Sequence, residues 1–290
     1  MIYDRKNIPE LSIIGAGRVG ASLAKLWHAH QIFQIGTVQT QSLASAIDAC
    51  NLIGAGRPIA PNAALGPSDY VLIATPDDKV AEVARNLHSS LRGKPPILFH
   101  CSGVLDSLLL LPNNPTGAEE VASCHPVISW PAPGSVPNAE QKPYCCIEGT
   151  NQAAHALAAA FEQIGFKSCM IERERKPQYH AALCICSNYA VALFNAALDC
   201  ITDTGMDPEA SLSLLRSLWA TTSENLQRSL PKEVLTGPIA RGDIQTIKKH
   251  LASLTHTPEL KELYCSLGTY AAGHVVTRQD IFDLLKKQQS

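Results

Sequence analysis

The chain has 290 residues, enough for one large domain or two medium ones with a sizeable core. Hydrophobic residues make up 46% and charged residues 17%, a balance that argues against intrinsic disorder. The formal net charge is −2 and Lys and Arg are scattered, so we expect no nucleic-acid partner.

The ten cysteines form no CxxC pair, and the N-terminal stretch is polar and has no secretory signal pattern. We therefore expect free thiols in a cytoplasmic protein, with no zinc or other metal site. We also expect no membrane partner, because no apolar run reaches the length of a membrane span.

The first element is an apolar run, LSII, that enters the glycine turn GAGRVG and then a helical pattern. This strand, turn and helix are typical of a dinucleotide-binding βαβ unit, in which the helix N-terminus faces the pyrophosphate. The alternative is a glycine turn without a ligand. We expect the cofactor to bind at Gly15, Ala16, Gly17, Arg18, Val19 and Gly20.

Further apolar runs alternate with helical patterns as far as residue 173, which predicts an α/β fold with a doubly wound parallel sheet. Strands are predicted at 11–14, 33–38, 69–74, 97–100, 121–124 and 144–148, followed by a strand-like piece near 167, with a loop at 54–61. Residues 174–290 show only helical patterns, predicted at 177–203, 207–228, 243–254, 258–273 and 277–288. We therefore predict a dinucleotide-binding domain over 1–173 and an all-helical domain for substrate binding and dimerisation over 174–290.

Ligands of such sheets bind at the carboxyl ends of the strands, which here read ATPDD, HCSG and CHPVIS. We expect backbone contacts with the cofactor at Ala74, Thr75, Pro76 and Cys101. Turn formation is the alternative for these residue types. For His100 and His125 a structural role is favoured over chemistry.

The segment after the second strand, Gln39–Ser42, has no acidic residue. NAD sites usually carry one about 20 positions beyond the glycines, and a carboxylate there would repel the 2′-phosphate of NADP. NADP is therefore favoured over NAD, with Thr40, Gln41, Ser42 and Arg18 as its candidate contacts.

The first helical pattern after the boundary is apolar almost all round, which predicts a buried helix. Its polar residues share one arc, and they are His180, Ser187, Asn188, Asn195 and Asp199. We expect Asn195 and Asp199 to bond neighbouring helices, and His180 and Asn188 to line a polar cleft. Arg241 lies in a predicted loop ending at the N-cap Asp243, where it can bind a carboxylate or form a surface ion pair.

The motifs GAGRVG, HCSG, CHPVIS, YHAALCICSN and LTGPIARGD together resemble the Rossmann-like family that carries a DUF2520 C-terminal domain. More widely, the chain resembles the 6-phosphogluconate dehydrogenase-like superfamily, with ketopantoate, pyrroline-5-carboxylate and β-hydroxyacid reductases. The resemblance implies a Rossmann domain, an all-α C-terminal domain, NADP oxidoreductase activity and a homodimer through the helices. Its hydroxyacid members use a lysine early in the first long helix, where this chain has Tyr179 and His180, just after Lys176.

Two functions follow. In the first, an NADP-dependent oxidoreductase transfers hydride, in either direction, between the nicotinamide and a small carbonyl or imine substrate that carries a carboxylate, in a cleft between the domains. His180 would be the acid, with His125 second, while Asn188 and Ser102 bond the reacting oxygen and Arg241 holds a carboxylate. In the second, the chain is a non-catalytic NAD(P)-binding sensor or assembly module.

Overall fold

A computed structural model describes residues 8–91, 93–138 and 142–288. Most of the polar N-terminal stretch thus lies outside the described residues. Cα packing divides the chain into two compact units, Met1–Leu183 and Cys184–Ser290. The division falls later than the sequence-based boundary at 173/174, which stays a prediction.

The first unit is built on one eight-stranded sheet with the order β3-β2-β1-β4-β5-β6-β7-β8. Neighbouring strands are parallel except β6 and β7, which run antiparallel. The α/β fold with a mainly parallel, doubly wound sheet is therefore confirmed. The strands are β1 (Glu10–Ile14), β2 (Gln34–Gln39), β3 (Arg57–Ile59), β4 (Tyr70–Ile73), β5 (Ile97–His100), β6 (Val121–Val127), β7 (Tyr144–Gly149) and β8 (Lys167–Met170).

Two predicted boundaries in this unit are wrong. The predicted loop at 54–61 contains β3, which pairs with β2 from Thr37 onward. β6 continues past residue 124 to Val127, because it pairs with β7 over its whole second half. This extension places His125 within a strand.

Helices cover both faces of the sheet, namely α1 (Arg18–Ala29), α2 (Leu43–Ile53), α3 (Asp77–Ser90) and α4 (Asn151–Glu162). Alternate residues of each strand enter different cores, as in β4, where Leu72 belongs to one apolar cluster and Val71 to the other. Trp27 of α1 is fully buried and packs edge-on against Phe161 of α4, with ring centroids 5.1 Å apart. Helix α1, which follows the glycine turn, is thus packed firmly against the sheet and α4.

The predicted single helix 177–203 is two helices, α5 (Lys176–Cys186) and α6 (Asn188–Thr202), separated at Ser187. The prediction that it is buried is also wrong. Lys176 is the one buried residue of α5 and α6 has none, both helices being described in full. Val191 is 73% exposed, because no other described part of this chain covers that side of the helix.

We expected no run of membrane-spanning length, and the structure corrects this. The helical stretch Arg173–Thr202 is long and apolar enough to cross a bilayer by length and composition. Those criteria alone are weak evidence for a membrane protein, since helices of soluble proteins also meet them.

The second unit is helical, and no strand follows β8 among the residues described up to 288. Its small core is formed by α10, α11 and α12 with a π-helical turn at Ala271–Val275. The predicted loop before Asp243 contains a helical turn, with Pro238 in its first turn. The remaining helices are α7 (Pro208–Arg228), α8 (Pro231–Val234), α9 (Gly237–Arg241), α10 (Ile244–Ser253), α11 (Pro258–Tyr270) and α12 (Gln279–Lys286).

Candidate active site

Polar side chains occupy one face of β6 and β7. Ser123 and His125 are two residues apart on β6, so both project from the same face. The antiparallel register pairs Ser123 with Glu148 and His125 with Cys146. Four chemically active groups therefore form a compact patch on the sheet.

Helix α5 meets this patch with three residues, Lys176, Tyr179 and His180, whose spacing places them on one side of the helix. Lys176 Nζ donates to the Ser123 hydroxyl and lies 3.5 Å from Glu148 Oε1. The Tyr179 hydroxyl is hydrogen-bonded to His125 Nδ1 at 2.9 Å. The ring centroids of His125 and His180 are 5.8 Å apart, so the two imidazoles lie side by side.

Gly103, in the segment that follows β5, fits against both imidazoles. A Cβ at this position would lie 2.4 Å from His180 Cδ2 and 3.0 Å from His125 Nε2. No larger residue can stand here unless the rings move. The glycine of the HCSG motif is therefore a steric requirement of the histidine pair.

His125 is not suited to be a proton donor at neutral pH. Burial, together with the neighbouring His180 and Lys176, lowers its pKa to about 4, while Asp77 has a smaller opposing effect. Burial and the adjacent Cys146 thiol raise the pKa of Tyr179, so its hydroxyl stays protonated and holds the His125 ring. The lowered pKa favours His125 as a neutral hydrogen-bonding group, and its role as a second acid stays a prediction.

Ser102 is buried, and its hydroxyl is fully engaged. Its Oγ donates to Asp77 Oδ2 at 2.8 Å and accepts from the backbone N–H groups of Val104 and Leu105 at 3.2 and 3.0 Å. Since a hydroxyl has one proton, a bond to a reacting oxygen would require Ser102 to leave Asp77. These hydrogen bonds instead make Ser102 a structural residue that stabilises the turn after β5.

His100 has the structural role that was favoured. Its Nδ1 accepts from the Ser102 N–H at 3.1 Å and its Nε2 donates to the Asp106 carbonyl at 3.0 Å. Burial lowers its pKa to about 4. The adjacent Cys101 packs against the core, and burial raises the pKa of its thiol.

The glycine turn lies at the carboxyl end of β1. Gly15 has φ +91°, and a Cβ there would lie 2.6 Å from the Ala74 carbonyl oxygen. A Cβ on Gly20 would lie 2.2 Å from the Gly15 carbonyl oxygen, whereas a Cβ on Gly17 would meet no atom within 4 Å. The turn is thus closely packed at Gly15 and Gly20 and open at Gly17.

Several features of this edge fit a dinucleotide. α1 begins at Arg18 with no acidic residue in its first turn and no side-chain cap, so its positive end is uncompensated. The Thr75 hydroxyl at the end of β4 is buried and has no hydrogen-bond partner. A cavity of about 380 Å³ beside the turn is lined in part by Ile14, Gln39 and Asn62. The remaining predicted contacts there, Ala16 and Val19, are partly buried, and Pro76 is exposed at the N-cap of α3.

Hydroxyl groups cap α2 at the end of β2. Ser42 Oγ accepts from the Ser45 N–H at 3.1 Å, and Thr40 Oγ1 donates to the Ser42 carbonyl at 2.9 Å. Gln41 is exposed between them, and the first turn of α2 has no acidic residue. The segment therefore presents hydroxyls rather than a carboxylate, although contact with a ligand would compete with these local bonds.

Two predicted site residues lie in the second unit. Asn188 is exposed at the first residue of α6, and Arg241 is exposed at the last residue of α9. No salt bridge of the described residues involves Arg241, so the alternative of a surface ion pair is not seen there. Asn195 Nδ2 donates to Asp199 Oδ2 at 3.0 Å within α6, so the expected bonds to neighbouring helices are wrong.

Sequence reasoning missed the part played by Lys176. It stands in the charged stretch RERK, which resembles an exposed link, yet its side chain is 1% exposed. Its four-residue spacing from His180 was the available signal. Among the described residues, no group of three or more His, Cys, Asp or Glu is arranged to hold a metal.

The fold and the glycine turn together define a two-domain protein with an N-terminal Rossmann-type domain and a helical C-terminal region. The Rossmann-like domain model matches residues 5–126, and the model of DUF2520, a domain of unknown function, matches residues 143–271. The chain therefore carries a Rossmann-like domain followed by a DUF2520 domain, as its motifs indicated.

Solved structures share this arrangement. A Bacteroides fragilis protein provisionally described as an NADP oxidoreductase is 18% identical, with a TM-score of 0.72 over 95% of this chain and 98% of its own. The Thermotoga maritima protein TM1727 is 24% identical, with a TM-score of 0.68 over 96% and 98%. Plasmodium falciparum pyrroline carboxylate reductase, solved with NADP bound, is 14% identical, with a TM-score of 0.59 over 97% of each chain. No curated protein sequence matches the chain significantly.

Proposed function

We propose that this chain is an NADP-dependent oxidoreductase acting on a small carbonyl or imine compound that carries a carboxylate. The observation that carries the proposal is the alignment of β1, β4 and β5, which are adjacent and parallel. Their carboxyl ends bring the glycine turn, the unpartnered Thr75 hydroxyl and the Gly103 segment to one edge of the sheet. A dinucleotide at the turn would thus extend toward the histidine pair.

The comparisons support the same class of reaction. One similar structure is described as an NADP oxidoreductase and another is a reductase with NADP bound. A bound nicotinamide would supply the hydride. The open backbone at Gly17 and the N-terminus of α1 would hold the pyrophosphate, and Arg18, Thr40, Gln41 and Ser42 would face the 2′-phosphate.

His180 is the group we propose as the proton donor. It lies beside His125, and histidine is the side chain most often used for proton transfer near neutral pH. His125, held by Tyr179, would bond the reacting oxygen or nitrogen without changing charge. We further propose that Asn188 assists in this bonding and that Arg241 binds the substrate carboxylate in a cleft between the domains.

We also propose a homodimer formed through the helical domain. Large apolar side chains of α6 and α7 are exposed, including Tyr189, Val191, Leu218 and Trp219. A second copy of the chain would remove this surface from water. The ten cysteines are free thiols, which supports our proposal of a cytoplasmic location.

Calorimetric titration with NADPH and NADH tests the cofactor, and we expect tighter binding of NADPH. NADPH consumption with a panel of 2-oxo acids and cyclic imino acids then tests turnover. His180→Gln should keep NADPH affinity and lose about 100-fold or more in turnover. His155→Gln, an exposed change on α4, is the matched control.

Each outcome has a distinct meaning. Equal affinity for the two cofactors would remove the NADP preference, and no binding of either would refute the oxidoreductase. Binding without turnover of any substrate in the panel would favour the non-catalytic module. Full activity of the His180 variant would refute its role as the acid.

A further inference from the structure

Lys176 is a fully buried cation in a position that the proposed reaction does not use. Its Nζ donates to the Ser102 carbonyl oxygen at 3.2 Å and to the Ser123 hydroxyl, and it lies 3.5 Å from Glu148 Oε1. Lys176 is 0% exposed, so no substrate reaches the ammonium group. Burial lowers the pKa of Lys176, and the Glu148 carboxylate opposes this and favours the charged form.

The partners of Lys176 are themselves fixed. Glu148 accepts from the Ser107 N–H at 2.8 Å and from its hydroxyl at 2.7 Å. The Ser123 hydroxyl also donates to the Ser102 carbonyl at 3.2 Å. The ammonium thus links the start of α5 to β6, to β7 and to the segment that follows β5.

We propose that Lys176 is a positioning residue that fixes the Ser102–Gly103 segment and the start of α5 to each other, and so holds the His125–His180 pair in place. Ser102 immediately precedes Gly103, which touches both rings. His180 lies four residues after Lys176 on the same side of α5. The Lys176 ammonium therefore holds in place both the Gly103 segment, which packs against the two imidazoles, and helix α5, which carries His180.

Lys176 affects His125 through its positive charge, in addition to the effect of its hydrogen bonds on the surrounding segments. The ammonium opposes protonation of that imidazole, in the same direction as burial. Burial is the largest cause that lowers the His125 pKa, followed by His180 and then Lys176, so the ammonium contributes to keeping His125 neutral. The titratable and charged groups facing His125 are Lys176, Tyr179 and His180 from α5, Asp77 from α3 and Cys146 from β7.

The inference rests on the proposed function, but its main test does not need turnover. The pKa of His125 is followed by NMR, with the signal assigned by its loss in His125→Gln. The test variant is Lys176→Met combined with Glu148→Gln, which removes the cation without leaving a buried carboxylate unpaired. Glu148→Gln alone is the matched control, because it removes the same carboxylate and leaves the Lys176 side chain in place.

We expect the His125 pKa to rise above about 4 in the double variant, while it stays below its ordinary value because burial and His180 still lower it, and to stay low in the control. Turnover should fall about 10- to 100-fold in the double variant, while NADPH affinity changes less than threefold. A folded double variant whose His125 titrates as in the wild type would overturn the proposal. If the wild type shows no turnover, the proposed function fails and the titration still decides the role of Lys176.

Ser123→Ala serves if the Lys176 variant does not fold. It removes only the hydroxyl that joins the ammonium to β6 and to the Ser102 carbonyl. We expect displaced His125 ring resonances and lower turnover, since the Ser102–Gly103 segment is held less firmly, while the His125 pKa stays low because the ammonium is still present. Wild-type ring resonances together with wild-type turnover in Ser123→Ala would overturn the proposal.

Discussion

A Cβ on Gly103 would lie 2.4 Å from Cδ2 of His180. The absence of a side chain at Gly103 therefore leaves the space that the His180 ring occupies, although the two residues are far apart along the chain. The obstructed atom belongs to an imidazole that packs against a second imidazole, His125. The ring therefore has little room to move aside.

Gly103→Ala is expected to displace the His180 ring and to lower turnover by about 100-fold, because misplacement of a reacting group by about 1 Å has this effect. NADPH affinity should change little, since the glycine turn is untouched. Steady-state kinetics and calorimetry measure the two quantities. Gly66→Ala is the control, as its Cβ would lie 3.3 Å from the end of the flexible Arg57 side chain and 3.8 Å from Thr37 Cγ2, an ordinary contact. Equal losses of turnover in Gly103→Ala and Gly66→Ala would contradict the steric role of Gly103.

Gly17 and Gly20 should respond differently to alanine. Gly17→Ala meets no protein atom within 4 Å, so it should fold normally and weaken NADPH binding by about tenfold or more, roughly 1.4 kcal/mol. Gly20→Ala would place a Cβ 2.2 Å from the Gly15 carbonyl oxygen and should lower the free energy of unfolding by about 1–3 kcal/mol. Denaturant unfolding and calorimetry distinguish the two. Normal NADPH affinity in Gly17→Ala would place the pyrophosphate elsewhere.

Two buried histidines should make the protein sensitive to acid. The pKa values of His100 and His125 are lowered to about 4, below their ordinary value of about 6.5, so the unfolded chain binds more protons between these values. Their contribution to stability is complete above about pH 6.5 and is lost as the pH falls toward 4.

The slope of unfolding free energy against pH measures this effect in urea titrations. His100→Gln can keep the bonds to Ser102 and Asp106, and it should reduce the slope by up to about 1.4 kcal/mol per pH unit. His155→Gln, exposed on α4, should leave the slope unchanged. If the slope in His100→Gln equals the wild-type slope, His100 binds its proton equally well in the folded and unfolded states, and its lowered pKa is refuted.

Val191→Asp tests the proposed dimer. Val191 is 73% exposed, so the change costs the folded monomer little. If a second copy covers α6, a buried carboxylate should raise the dimer dissociation constant by about 30-fold, or roughly 2 kcal/mol. Sedimentation equilibrium measures it, with Val136→Asp, 58% exposed in the first unit, as the control. A monomeric wild type would refute the dimer, and detergent-dependent solubility would point instead to a membrane.

The glycine turn, the order of strands and helices and the capping role of Asp243 were all predictable, because each depends on a local pattern. The short β3 was not, since three residues including a proline carry little strand signal. The exposure of α6 was missed because an apolar helix has the same sequence pattern whether its own chain or another surface covers it. Lys176 was missed because Ser102, Ser123 and Glu148 are all distant from it along the chain.

The sheet also has a consequence for how the two sequence families are joined. The Rossmann-like match ends within β6, whereas the DUF2520 match begins just before β7 and includes α4 and β8. β6 and β7 pair directly, and Ala122 from one match shares an apolar cluster with Ile147 from the other. Neither matched segment therefore closes its hydrophobic core alone, and a fragment cut between them would leave β6 or β7 as an unpaired edge strand, which favours aggregation. The boundary between the two sequence families is therefore not a boundary between two separate hydrophobic cores.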